Sequence, residues 1–286
     1  MRKITTYIVA LFSVLVIFSS CKKEYETTEE LDNKNIAAYK AAHTNLSFTD
    51  IDGYSYAITE LGTSGDVVNS DSVYYSYAFK SVSGTVYNQT SDLMIPGTLL
   101  GYTDQFAIGS TPYVFKPVRE VLSKLKRGGK ATLLLPSRMA FGKNGLTAFG
   151  IGSNETIVVE LGLYTFEKRH EVDLYLIDKF VTDNNLELFD ADESGIRYKI
   201  ADFGTGTDII SQHSTITTNY TVRTLDGTVL ESNTGYVARL EQLYEAWRII
   251  LPKLKAGGKI RMIIPSHLGG GRPLDFDIEV TTVTND

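Results

Sequence analysis

Apolar residues recur at three- and four-residue steps through Leu240, Leu243, Tyr244, Trp247, Ile250, Leu251 and Leu254. That spacing places them on one face of a helix. Pro252 lies inside the pattern, which predicts a kink or an end there. Gly257 and Gly258 supply a left-handed stop, and Lys253 and Lys255 suit the negative end of the helix dipole. A strand then runs into Ile264-Pro265-Ser266. The same pattern stands upstream in Tyr113 to Gly142, and both copies share the string K-L-K-x-G-G-K, four residues, an apolar residue, Pro and Ser. Two occurrences of so particular a string predict a duplicated domain.

Alternation at period two marks the strands around each copy. Tyr54, Tyr56 and Ile58 share one face, Val73 to Phe79 is a Tyr-rich β-prone run, Ser83-Gly84 turns the chain into Thr85-Val86-Tyr87, and Thr156 to Tyr164 closes the first unit. In the second, Gly195 to Ile200 matches Gly53 to Ile58, Gly204 falls where Gly62 does, and Tyr220 and Gly227 match Tyr77 and Gly84. A short helix over Asn35 to His43 precedes the first unit, and an amphipathic helix over Glu171 to Leu188 precedes the second. The expected organisation is a leader over 1–20, a flexible tether with its short helix over 21–46, a first domain over 47–168, a linker helix over 169–193 and a second domain over 194–286. The copies differ in their loops. The first carries about fourteen extra residues, placed within Ser91 to Gly109, and the second has lost a long connection after Pro265.

The formal charge of −6 and the lack of a basic, aromatic-interleaved patch argue against nucleic acid as partner. His43, His170, His213 and His267 are scattered without ligand spacing, so no metal is expected. Arg2 and Lys3 precede an apolar run from Tyr7 to Phe18, a targeting segment too short to span a bilayer. It ends at Cys21, the one cysteine of the chain, and resembles the lipobox of bacterial lipoproteins. That resemblance implies lipidation at Cys21 and a lipid-anchored place in the bacterial cell envelope, facing the periplasm or the exterior.

The second copy reads G-I-R-Y-K-I, then N-Y-T-V-R-T-L-D-G-T-V-L-E-S, then Y-E-A-W, L-K-A-G-G-K and I-I-P-S, and finally L-D-F-D-I-E-V. These residues resemble the FKBP-type peptidyl-prolyl cis–trans isomerases, over roughly 50–166 and 194–284. The resemblance implies an α+β fold: two tandem FKBP-like domains, each a twisted antiparallel sheet wrapped around one short helix and preceded by a lead-in helix. It also implies prolyl-containing segments or unfolded exported proteins as partners, and no cofactor. The chemistry needs no acid, base or nucleophile. The prolyl amide resists rotation because resonance stiffens its C–N bond, and a dry pocket that fits the twisted form lowers the barrier.

Carried over residue by residue, the family pattern makes Trp247 the pocket floor of the second domain, with Leu243 and Tyr244 at the helix entry. Tyr220, Leu230 and Phe276 stand at wall positions and Glu231 at the acidic position. The family's donor tyrosine is replaced by Gly270. In the first domain the floor is Val118, with Val114 and Phe115 at the helix entry. Tyr77, Tyr87, Phe106, Ile151 and Val159 take wall positions, Asn88 the acidic one, and Phe141 the tyrosine's place. Three functions fit the pattern: an envelope prolyl isomerase, a binding or chaperone module without catalysis, and a structural lipoprotein. If one domain alone is active, its longer loop and the Phe141 ring favour the first.

Overall fold

The computed structural model describes residues 26–101, 105–108, 111–186 and 188–285. The leader and Cys21 lie outside the described residues, as does the side chain of Phe106. The described elements begin with helix α1 (Thr28–Ala42) and strands β1 (Thr49–Ile51), β2 (Tyr54–Glu60), β3 (Ser72–Ser81), β4 (Val86–Gln89), β5 (Gly97–Leu99), β6 (Gln105–Ile108) and β7 (Thr111–Val114). Helix α2 (Lys116–Leu122), β8 (Lys130–Leu135) and β9 (Ile157–Leu163) complete the first unit. Helix α3 (Arg169–Asp183) leads to β10 (Asp190–Ala191), β11 (Arg197–Asp202), β12 (Thr215–Thr224), β13 (Val229–Arg239), helix α4 (Glu245–Ile250), β14 (Lys259–Ile264) and β15 (Leu274–Thr284).

The duplication read from the K-L-K-x-G-G-K strings is visible in the topology. One sheet runs β1-β2-β8-β9-β3-β4, with β5 also on β3, and the other runs β10-β11-β14-β15-β12-β13. The order is the same position by position, and every pairing is antiparallel. The fold is α+β, with two FKBP-like units in tandem. In each, the short helix presses its apolar face on the sheet. Val118, Val121 and Leu122 of α2 pack with Phe79, Leu133 and Val159, and Ala246, Trp247 and Ile250 of α4 pack with Met262, Phe276 and Ile278.

Both lead-in helices dock by the same device. Asp32 of α1 is buried and accepts from Ser137 N at 3.0 Å, Ser137 Oγ at 2.7 Å and Thr156 Oγ1 at 2.6 Å. Asp173 of α3 is buried and accepts from Ser266 N at 3.0 Å, from Ser266 Oγ, and from Arg169 Nε at 2.9 Å. Each Pro-Ser corner therefore ends its strand by handing a backbone and a hydroxyl donor to a helix carboxylate, which offsets the desolvation of that charge. Beyond the clamp the helices differ. Helix α3 buries Val172, Leu176, Ile177 and Phe180 in a third cluster with Tyr74 and Ile95 of the first unit and Leu225 and Ile263 of the second. Ile95 belongs to the first unit's extra residues, so that insertion is part of the junction between the units.

Three element boundaries depart from the sequence reading. Helix α1 starts at Thr28 rather than near Asn35, because Thr27 and Glu30 form a reciprocal capping box that the charged composition concealed. Helix α3 ends at Asp183, before Leu188. Leu240 to Leu254 is not one helix but a 3-10 turn (Leu240–Gln242), an extended Leu243, α4, and a second 3-10 turn (Leu251–Lys253) at Pro252. Of each Gly-Gly pair only the first residue is left-handed, Gly128 at φ 85° and Gly257 at φ 87°. The second is needed for space: a Cβ on Gly129 would lie 2.6 Å from the Leu61 carbonyl oxygen, and one on Gly258 2.8 Å from that of Lys255.

Candidate functional site

The second unit holds an open aromatic cavity of about 340 Å³, lined by Tyr220, Val222, Glu231, Tyr236, Gln242, Leu243, Tyr244, Trp247 and Phe276. Each wall has a local cause. Extended backbone at Leu243 delays α4 by a turn, so Tyr244 stands at its N-terminal cap and Trp247 one turn in, facing the sheet. Val222 on β12 pairs directly with Phe276 on β15 and with Glu231 on β13, so three strands bring one residue each to the same level. Trp247 is 3% exposed. Its ring meets Tyr220 edge to face at 5.4 Å and Phe276 at 5.7 Å. Tyr244 meets Phe276 at 5.9 Å, and Tyr236 meets Tyr220 at 5.6 Å. These are the geometries that ring quadrupoles favour, and they hold the walls without filling the space between them.

The polar groups are few. Tyr220 donates its hydroxyl to Glu231 Oε1 at 2.5 Å. Burial, then the bond to the Glu231 carboxylate, push the Tyr220 phenol far above its ordinary value, so it remains a donor at any physiological pH. The Trp247 indole N–H is buried and meets no acceptor among the described residues. A buried donor left unpaired costs about 1–3 kcal/mol, so a carbonyl acceptor entering the cavity would recover that cost if it reached the N–H.

Six of the seven residues carried over to the second domain meet here: Tyr220, Glu231, Leu243, Tyr244, Trp247 and Phe276. Leu230 does not: it is the unpaired residue where the β13 register slips between Glu231 and Val229, and it is half exposed. Val222, Tyr236 and Gln242 were missed. Tyr236 carries a signal in hindsight, an aromatic just after Gly235, but a bulge sets its facing. Thr218 pairs with Tyr236 and Tyr220 with Asn233, a register that slips by one residue and returns Tyr236 to the same face as Glu231. Gly270, where the family has its donor tyrosine, is left-handed at φ 68°, and a Cβ there would lie 2.5 Å from Leu274 Cδ1. The backbone of Gly269 lies against the Tyr244 ring, so the shortened connection itself forms one side of the site.

The first unit places its residues differently. Phe115, Val118, Ile151 and Val159 are buried core residues, and Val114 is 66% exposed, facing away from that core. Phe115 meets Phe79 at 5.3 Å and Phe141 at 5.6 Å, while Phe141 meets Phe79 at 6.0 Å and Tyr113 at 5.7 Å. The two units exchange volume at equivalent positions. Where the second has Trp247 and Val222, the first has Val118 and Phe79; the small floor is matched by a large wall residue whose ring occupies the space. Phe115 is buried, whereas its counterpart Tyr244 is 45% exposed. Tyr77 still donates to Asn88 Oδ1 at 3.0 Å, as Tyr220 does to Glu231, and Tyr87 donates to Glu155. The expectation that the first unit is the better-formed site is corrected: the Phe141 ring that favoured it belongs to the aromatic set that fills it.

The family-model match falls on the unit with the cavity. Residues 206–280 match the family model described as FKBP-type peptidyl-prolyl cis-trans isomerase. The FKBP-type peptidyl-prolyl cis-trans isomerase FkpA of Buchnera aphidicola subsp. Schizaphis graminum is 31% identical over 106 residues, covering 32% of this chain and 42% of that protein. A probable FKBP-type peptidyl-prolyl cis-trans isomerase of Haemophilus influenzae is 32% identical over 106 residues, covering 32% of this chain and 44% of that protein. The chain thus spans less than half the length of either curated relative. Among solved structures, FkpA from Escherichia coli aligns with a TM-score of 0.35 at 21% identity, over 57% of this chain and 71% of that one. The family likeness is thus carried by the second unit, whose residues 206–280 match the FKBP-type peptidyl-prolyl cis–trans isomerases.

Proposed function

We propose that the second unit is a prolyl isomerase acting on X-Pro bonds of extended polypeptides, and that the chain works in the bacterial envelope, anchored through Cys21. The observation that carries the reading is the open cavity floored by Trp247 and walled by Tyr220, Tyr244 and Phe276. Rotation about the prolyl amide removes its resonance and leaves a pyramidal, less polar nitrogen. A ring seated against apolar walls sheds water that would stabilise the planar ground state, and each 1.36 kcal/mol of preference for the twisted form gives about a tenfold rate. Gly270 removes the family's hydroxyl donor, so the donors among the cavity residues are the Trp247 indole, the Gln242 amide and the phenols of Tyr220, Tyr236 and Tyr244. With its equivalent space filled by Phe79, Phe115 and Phe141, the first unit serves as a scaffold joined to the second through α3 and Ile95.

The test is NMR exchange spectroscopy on a short Ala-Pro peptide with the full chain. Faster cis–trans exchange that falls more than tenfold in Trp247→Leu supports the assignment. Line broadening without faster exchange means a pocket that binds without turnover, the chaperone-like reading that the loss at Gly270 favours. For the anchor, Cys21→Ala is expected to move the protein from the membrane to the soluble fraction.

A further inference from the structure

β13 is the outermost strand of its sheet, bonded on one side to β12 and on the other to no strand among those described. Eleven residues long, it is exposed over most of its length. Natural sheets guard such edges with lysine, proline, very short strands or a covering segment. Between Val229 and Val237 this edge has no lysine, proline or covering strand; its protection is two bulges and the inward Glu231, and its exposed side chains include Val229, Leu230 and Val237, each at least half exposed. The first unit guards the same edge. There β4 has four residues, β5 takes up the rest of β3 with three, and the insertion runs between them.

The open edge is continuous with the cavity, because Glu231 and Tyr236 belong to β13 and line it. Between those two residues the ladder is bulged: Thr234 and Gly235 face the single residue Asn219, whose side-chain oxygen accepts from Gly235 N at 2.9 Å. Proline has no N–H to give to a ladder and is tolerated in strands only at edges and bulges. Of the two bulges in β13, this one lies between the residues that line the cavity, so it marks the level at which an added strand would carry its prolyl residue.

We propose that the segment carrying the prolyl bond docks as an added strand along β13, its flanking residues pairing with the backbone on either side of the bulge while the prolyl ring enters the Trp247 cavity. The ligand class is an extended, unfolded polypeptide with β-branched or apolar residues beside proline. Backbone hydrogen bonds supply affinity whatever its sequence, and Val229, Leu230 and Val237 supply cross-strand contacts. This inference rests on the isomerase reading of the same cavity, and its test separates the two.

The full chain is titrated, following Trp247 emission, with an Ala-Pro tetrapeptide and with a decapeptide of apolar residues around a central proline. The decapeptide is also made with its backbone N-methylated at alternate positions, in each of the two registers. The expected result is at least tenfold tighter binding of the decapeptide, lost in one N-methyl register and retained in the other, since a strand turns alternate amides toward its partner. Leu230→Lys with Val237→Lys, both outside the cavity lining, should weaken the decapeptide severalfold and leave the tetrapeptide unchanged. Equal affinity for both peptides, or indifference to both N-methyl registers, overturns the added strand while tetrapeptide isomerisation still stands or falls alone. A dimer in sedimentation that excludes the decapeptide, and separates in the double Lys variant, would place a second copy on this edge and likewise overturn it.

Discussion

Trp247 is the chain's only tryptophan, and it sits at the base of the only cavity built from both α4 and its sheet among those described, so its emission reports directly on that space. Its role depends on a neighbour: with Val at the Phe79 position, a Trp floor leaves room, whereas Val118 beneath Phe79 leaves none. Tyr220 is the second residue whose part can be separated. Tyr220→Phe keeps the ring on Trp247 and removes the donation to Glu231, which is exposed. The expected cost is about 0.5–1 kcal/mol of stability and less than a tenfold loss of isomerisation, measured by denaturant midpoint and exchange rate. A larger catalytic loss would make the hydroxyl a direct contact to substrate.

At the scale of elements, the Pro-Ser corners and the lead-in helices act as pairs. Asp173 holds Ser266 N, Ser266 Oγ and Arg169, and α3 also carries four apolar residues of the junction. Asp173→Ala strands a buried amide and hydroxyl, and the expected cost is about 2–4 kcal/mol, read as a lower urea midpoint for the whole chain. Asp32→Ala should instead loosen α1 with little effect on the second unit, because Asp32 is the buried residue of that helix. Limited proteolysis within 28–42 distinguishes the two variants. The asymmetry is that of a repeat array: the inner lead-in helix has a unit on each side and is apolar, while the outer one faces solvent and is polar.

Across the whole molecule, tyrosine is a structural residue and makes the fold sensitive to alkali. Burial raises the phenols of Tyr54, Tyr75, Tyr87 and Tyr220. Glu120 adds to it for Tyr54, Tyr77 for Tyr75, Glu155 for Tyr87 and Glu231 for Tyr220, and Tyr87 is pushed up to about 12. A phenol raised in the native state keeps its proton where the unfolded chain has lost it. Stability is thus complete below the unfolded value of about 10 and declines as pH rises from there toward the folded values. The urea midpoint should fall between about pH 10 and 12, with tyrosinate absorbance rising together with unfolding. Tyrosinate that appears while the midpoint holds would mean these hydroxyls reach solvent in the native state.

The repeat, and the family resemblance from which the α+β class followed, were legible in local strings: K-L-K-x-G-G-K, the alternating Tyr runs and the D-G turn. These work through short-range causes, namely periodicity, a left-handed glycine and a missing Cβ, so each is written where it acts. Trp247 and the residues around it could be named for the same reason. Which unit keeps an open site could not be read this way. That depended on whether Phe79, Phe115 and Phe141, spread over sixty residues of chain, meet above Val118, and close packing is a property of facing surfaces rather than of any segment. The bulge that turns Tyr236 inward, and the unpaired outer edge of β13, are likewise set by which strands pair and where that pairing slips. Sequence determined the parts and their order; tertiary packing decided which of two equivalent spaces is filled and which is open.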